Sequence, residues 1–168
     1  MRRRYSLIGI SLLSAGLGCG LGILLSKKLL KEAKPTSEKT SIISPIRFEV
    51  GFHIFNKWLK LKCEGKTLFP YFCDNEISTI AIYGMGALGE RLFEELNETE
   101  VKVLYGIDRI ANKKSVKGLK IIGLNEELVN VDAIIVTPVQ DFYSIEEMLE
   151  SRTAADIISL EDIIDYCS

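Results

Sequence analysis

The chain has 168 residues, 47% hydrophobic and 26% charged, enough for one domain of ordinary size with an appendage. Its net charge of −2 is unevenly spread, since residues 1–45 hold eight Lys/Arg against Glu32 and Glu38, leaving 13 basic and 21 acidic side chains beyond. An acidic body lacks the basic face that a phosphate backbone requires, which argues against nucleic acid, and four scattered cysteines with one histidine offer no metal site of recognisable spacing.

Tyr5 to Ser26 is an uncharged run of 22 residues flanked by Arg2, Arg3 and Arg4 and by Lys27, Lys28 and Lys31. At about 1.5 Å per residue such a run just spans a hydrocarbon core of roughly 30 Å. Apolar residues continue to Leu25 and stop at a lysine pair, the pattern of a retained anchor rather than of a cleaved signal peptide. Gly16/Gly20 and Gly18/Gly22 are overlapping G-x-x-x-G pairs, a spacing that lets a second membrane helix approach and suits a homodimer. The expected organisation is an anchor over 1–32, a flexible Pro/Ser/Thr-containing linker over 33–45, an amphipathic helical lead-in over 46–76 and an α/β domain over 77–168.

In the lead-in, Phe48, Phe52, Phe55 and Leu59, with Trp58 nearby, recur at spacings of three and four. That stripe predicts a helix whose aromatic face packs on the domain, or else lies on a membrane surface. Thr67 to Cys73 predicts a short helix before the first strand.

From Ile77 short apolar strands alternate with helical stretches, the order of a parallel sheet. Strands are expected at 77–83, 101–107, 120–122, 133–136 and 157–159, giving a five-stranded, Rossmann-like parallel sheet. Helices are expected at 87–96 and 160–166, a short helical turn at 125–129, and a helix opened by a Ser144/Glu147 capping box and running to Glu150.

Gly84-Met85-Gly86-Ala87-Leu88-Gly89 is a G-x-G-x-x-G between an expected strand and an expected helix. In such a loop the first glycine makes the tight turn, the second admits a phosphate to the backbone, and the third lets the helix sit close to the sheet. The helix N-terminus adds free N–H groups and a positive dipole end. Asp108 ends the second strand at the distance where an acidic residue bonds ribose hydroxyls. Arg109 beside it suits an adenine or a second phosphate, so both NAD and NADP fit the pattern. Thr137 and Pro138 follow the fourth strand, at the carboxyl edge where open sheets bind ligands.

Catalytic groups are not evident: no tyrosine after the apolar run has a lysine four residues on, and His53 has no Ser or Cys partner in a credible triad. The chain offers no room for a substrate domain after the fifth strand.

The stretch Phe55 to Ile164, with KWLKLKCEGKTL, ISTIAIYGMGALGERLFEEL, VKVLYGIDR, VDAIIVTP and IISLEDII, resembles the small Rossmann-like domains of bacterial cell-surface polysaccharide biosynthesis proteins. Such domains accompany glycosyltransferases or nucleotide-sugar epimerase/dehydratase domains. The resemblance implies a nucleotide or nucleotide-sugar ligand at Gly84, Gly86, Gly89 and Asp108. It also implies a glycosyltransferase or sugar-modifying enzyme as partner, while the uncharged run predicts a cell-membrane location and the nucleotide ligand puts the domain on the cytoplasmic side.

Overall fold

The computed structural model describes residues 45–109 and 115–168, apart from the side chains of Pro45 and Ile46. In chain order they form α1 (Pro45–Cys63), α2 (Phe69–Asp74), β1 (Thr79–Tyr83), α3 (Ala87–Leu96), β2 (Lys102–Ile107), β3 (Ser115–Val116) and β4 (Leu119–Ile122). There follow β5 (Ala133–Val136), a 3-10 turn (Val139–Asp141), α4 (Phe142–Glu150), β6 (Asp156–Ser159) and α5 (Leu160–Tyr166). The expected anchor at Tyr5–Ser26, its glycine pairs and the linker lie outside the described residues. Among the described residues no helix is long and apolar enough to cross a membrane.

The sheet has six strands in the order β3-β4-β2-β1-β5-β6. Five of them pair in parallel, whereas β3 joins β4 antiparallel, with Ser115 opposite Lys120 and Val116 opposite Leu119. The expectation of five parallel strands is corrected by this hairpin. Its two-residue turn has Lys117 at φ 48° and Gly118 at φ 88°, the left-handed pair that suits the twist of a hairpin. Without β3 the order places β1 centrally, with strands added outward on both sides, so the order reverses between β1 and β5, the switch point beyond whose carboxyl ends open sheets bind ligands.

Strand residues alternate between two apolar layers. Ile80 and Ile82 join Leu92, Leu96, Leu160 and Ile163 on one face, while Ala81 and Tyr83 join Tyr105, Ile145 and Leu149 on the other. Helices thus cover both faces, which explains why β1 and β5 read as continuous apolar runs rather than alternating ones. At the amino end of the sheet, the Asp132 carboxylate accepts from Ser78 N–H, Thr79 N–H and the Thr79 hydroxyl at 3.0, 2.7 and 2.9 Å. These bonds hold its pKa below the ordinary carboxylate value, led by the Thr79 backbone N–H.

The lead-in packs on this sheet through α1 and α2, one of the two placements expected, but of the expected stripe only Trp58 turns inward. Ile54, Trp58 and Leu61 are buried, together with Leu68 and Phe72, whereas Phe48, Phe52, Phe55 and Leu59 are exposed. Glu95 on α3 decides this seating. Its nearly buried carboxylate accepts from Trp58 Nε1 at 2.8 Å and Leu68 N–H at 2.7 Å, and lies 2.7 Å from Lys62 Nζ. Turning the phenylalanines inward would strand that carboxylate among apolar groups.

Two further expectations change. Residues 125–129 form no helix. Their backbone is instead captured from outside: Tyr105 donates to Val129 O at 2.7 Å and Arg152 to Glu126 O at 2.8 Å. Ser144 is not a cap, because α4 begins at Phe142 and the Ser144 hydroxyl donates back to Asp141 O at 2.9 Å within the first turn.

Candidate functional site

The glycine loop joins β1 to α3 at the carboxyl edge of the sheet, and its three glycines do different work. Gly84 has φ +90°, and a Cβ there would meet Pro138 Cδ at 2.7 Å and Thr137 Oγ1 at 2.8 Å. Both its conformation and the loop after β5 therefore require glycine. A Cβ on Gly89, in the first turn of α3, would collide with the Gly84 carbonyl oxygen, so this glycine lets the helix close onto the turn. Gly86 differs. It is the N-cap of α3 with φ −82°, and a Cβ there would meet nothing within 4 Å. Nothing in the described fold demands glycine at this position.

The residues between the glycines divide in the same way. Met85 is 6% exposed, and its side chain lies over Gly106 of β2, where a Cβ would come within 2.6 Å of Met85 Cγ. Met85 is a core residue anchored beneath the loop. Ala87 is exposed in the first turn of α3, and half-buried Leu88 packs against the core. Only the backbone of Met85 serves the loop, through its N–H.

That N–H donates to Asp108 Oδ2 at 3.1 Å, so the carboxylate ending β2 is tied to the glycine loop. Asp108 N–H in turn donates to Ile122 O of β4 at 3.1 Å, and Gly84 N–H to Ile107 O at 2.8 Å. Thr137 is 5% exposed, and its hydroxyl lies 2.7 Å from Gly84 O and 3.2 Å from Tyr83 O. It locks the loop after β5 to the turn, with Pro138 against Gly84. Gly84, Met85, Asp108, Thr137 and Pro138 are thus one hydrogen-bonded and packed unit.

Of the rim charges, Arg109 was legible in the sequence, whereas Asp141 and Arg47 were not. Asp141, in the turn after β5, pairs with Arg47 Nη2 of α1 at 2.8 Å and has Arg109 Nη2 at 3.8 Å. Arg109 is thereby drawn toward the loop after β5. Tyr83, buried at the end of β1, has its phenol pushed up by burial, with Arg109 opposing and Asp108 and Asp141 reinforcing the shift. Arg47 and Asp141 are 94 positions apart, and no local pattern links them. The one available signal was an acidic residue shortly after Pro138 at a strand's carboxyl end.

Chemically, the carboxyl edge of the sheet offers N–H groups at a helix N-terminus, open space at Gly86, a carboxylate at Asp108 and two guanidinium groups around Asp141. Those are groups for holding an anion and a hydroxylated sugar. Compared with known proteins, the chain matches no family model, and no curated protein or solved structure is significantly similar to it.

Proposed function

We propose that the α/β domain is a Rossmann-like nucleotide-binding module without catalytic groups of its own, held at the cytoplasmic face of a cell membrane by Tyr5–Ser26. The ligand is a dinucleotide, NAD or NADP, or a nucleotide-sugar, presented to a glycosyltransferase or sugar-modifying partner in surface-polysaccharide biosynthesis. The observation that carries the ligand reading is the contrast among the glycines. Packing accounts for Gly84 and Gly89 but leaves Gly86 facing open space at a helix N-terminus, where a diphosphate would approach the backbone. The strand order, with β1 central and the loop at its carboxyl end, supports the same reading. The membrane and polysaccharide parts rest on the uncharged run and on the resemblance of Phe55 to Ile164.

Calorimetric titration of the detergent-solubilised full-length protein with NAD, NADP, coenzyme A, S-adenosylmethionine and UDP-sugars tests the module. One class should bind selectively, and Gly86→Val should abolish that binding while the protein stays folded. A folded protein that binds none of them overturns the ligand reading and leaves a partner-docking domain.

A further inference from the structure

Helix α1 carries two apolar faces, and only one is used within the domain. Phe48, Phe52, Phe55 and Leu59 remain 67%, 63%, 45% and 49% exposed. They follow one another at steps of four, three and four, the a/d spacing of a seam between two helices. Three phenylalanines and a leucine in one exposed row mark an interaction surface. A groove of about 340 Å3 runs beside the row, floored by Phe55, Trp58 and Leu59 and rimmed by Arg91, Glu94 and Glu98.

We propose that this seam packs antiparallel against the same seam of a second copy, about a two-fold axis. In that register Phe48 meets Leu59 of the partner subunit and Phe52 meets Phe55 of the partner subunit. The charges beside the seam favour this arrangement. Glu49 and Lys60 flank it on the same side near opposite ends of α1, so an antiparallel pair brings each Glu49 to Lys60 of the partner subunit. A two-fold interface requires such self-complementarity. The Lys60 side chain is 78% exposed, and its neighbour Glu64 is 3.9 Å away. A parallel pair would instead bring like ends of α1 together and separate each Glu49 from Lys60 of the partner subunit. A lipid surface fits less well, because the two cations lining the groove, Lys62 and Arg91, are already engaged by Glu95 and Glu94, and Glu98 adds a further negative charge.

The test uses full-length protein in detergent with Gly18→Leu and Gly20→Leu in the background, so that both G-x-x-x-G pairs are removed. Sedimentation should give a dimer, and Phe52→Glu/Phe55→Glu should give a monomer with unchanged helical circular dichroism. Glu49→Lys alone should weaken the dimer by about three- to tenfold, and Glu49→Lys/Lys60→Glu should restore it. A monomeric parent, a dimer that survives Phe52→Glu/Phe55→Glu, or a charge swap that fails to restore affinity overturns the proposal. Trp58 is the only tryptophan of the chain and lines the groove. Quenching of its fluorescence by brominated lipids in vesicles, lost in Phe52→Glu/Phe55→Glu, would assign the face to the bilayer and overturn the dimer.

Discussion

The backbone N–H of Met85 donates to the Asp108 carboxylate across 3.1 Å, so the end of β2 holds the glycine loop in place. Asp108 therefore has a structural task beside any contact with a ribose. Asp108→Ala removes the acceptor and leaves a half-buried N–H to be satisfied otherwise, at a cost of about 1–2 kcal/mol in stability. Asp108→Asn keeps an oxygen for Met85 but removes the charge, and should weaken a ribose-bearing ligand while the fold persists. Urea unfolding of both variants, alongside calorimetry of the Asn variant, separates the two tasks.

Gly86 and Gly89 should respond in opposite ways. Gly89→Ala sets a Cβ against the Gly84 carbonyl, forcing α3 away from the turn, and should cost about 1–3 kcal/mol. Gly86→Val meets open space, so beyond the loss of about 1 kcal/mol expected of a poorer N-cap it should leave stability unchanged while ligand binding disappears. Equal destabilisation by the two would show that Gly86 is also a packing glycine.

Gly106 gives a third variant. Filling the space under Met85 with Gly106→Val forces Met85 and Ile121 aside, and should destabilise the domain by about 1–3 kcal/mol in denaturant unfolding. Adding Met85→Ala should recover part of that loss, because the displaced side chain is then absent. Purely additive effects would show that the two residues do not share this space.

Asp132 predicts a pH effect of defined sign. Its folded pKa is depressed by bonds from Thr79 and Ser78, so its contribution is present above the ordinary carboxylate pKa. That contribution is lost as pH falls through the folded value. Thermal melts should show Asp132→Ala less stable than the parent at neutral pH, with the difference narrowing below the ordinary carboxylate range. A constant difference across that range would assign the loss to packing instead.

Much of the fold was legible where one periodicity dominated. Ala87–Leu96, Ala133–Val136 and Leu160–Tyr166 begin and end where the sequence pattern sets them, bounded by glycine, Pro138 and Ser159. The G-x-G-x-x-G was legible as a turn between strand and helix, but its division of labour was not. Separating Gly86 from Gly84 and Gly89 requires knowing that Thr137, Pro138 and the Gly84 carbonyl fill the space at the other two. The seating of α1 was misread because both of its faces are apolar. The row with more phenylalanine looks like the core, while the bonds to Glu95 that decide the matter come from another helix. The β3–β4 hairpin was missed because Val116-Lys-Gly-Leu119 holds too few apolar residues to register as a strand pair. Its Lys-Gly turn was the available clue.

The same hairpin has a consequence for how the protein avoids clumping. A long strand at a sheet margin presents a row of unpaired N–H and C=O groups on which another chain can polymerise. Among the described residues, the margin beyond β4 carries Ser115 and Val116, bent back by a tight turn with Lys117 at its tip. A foreign strand arriving at that turn would meet a left-handed bend rather than a continuing template.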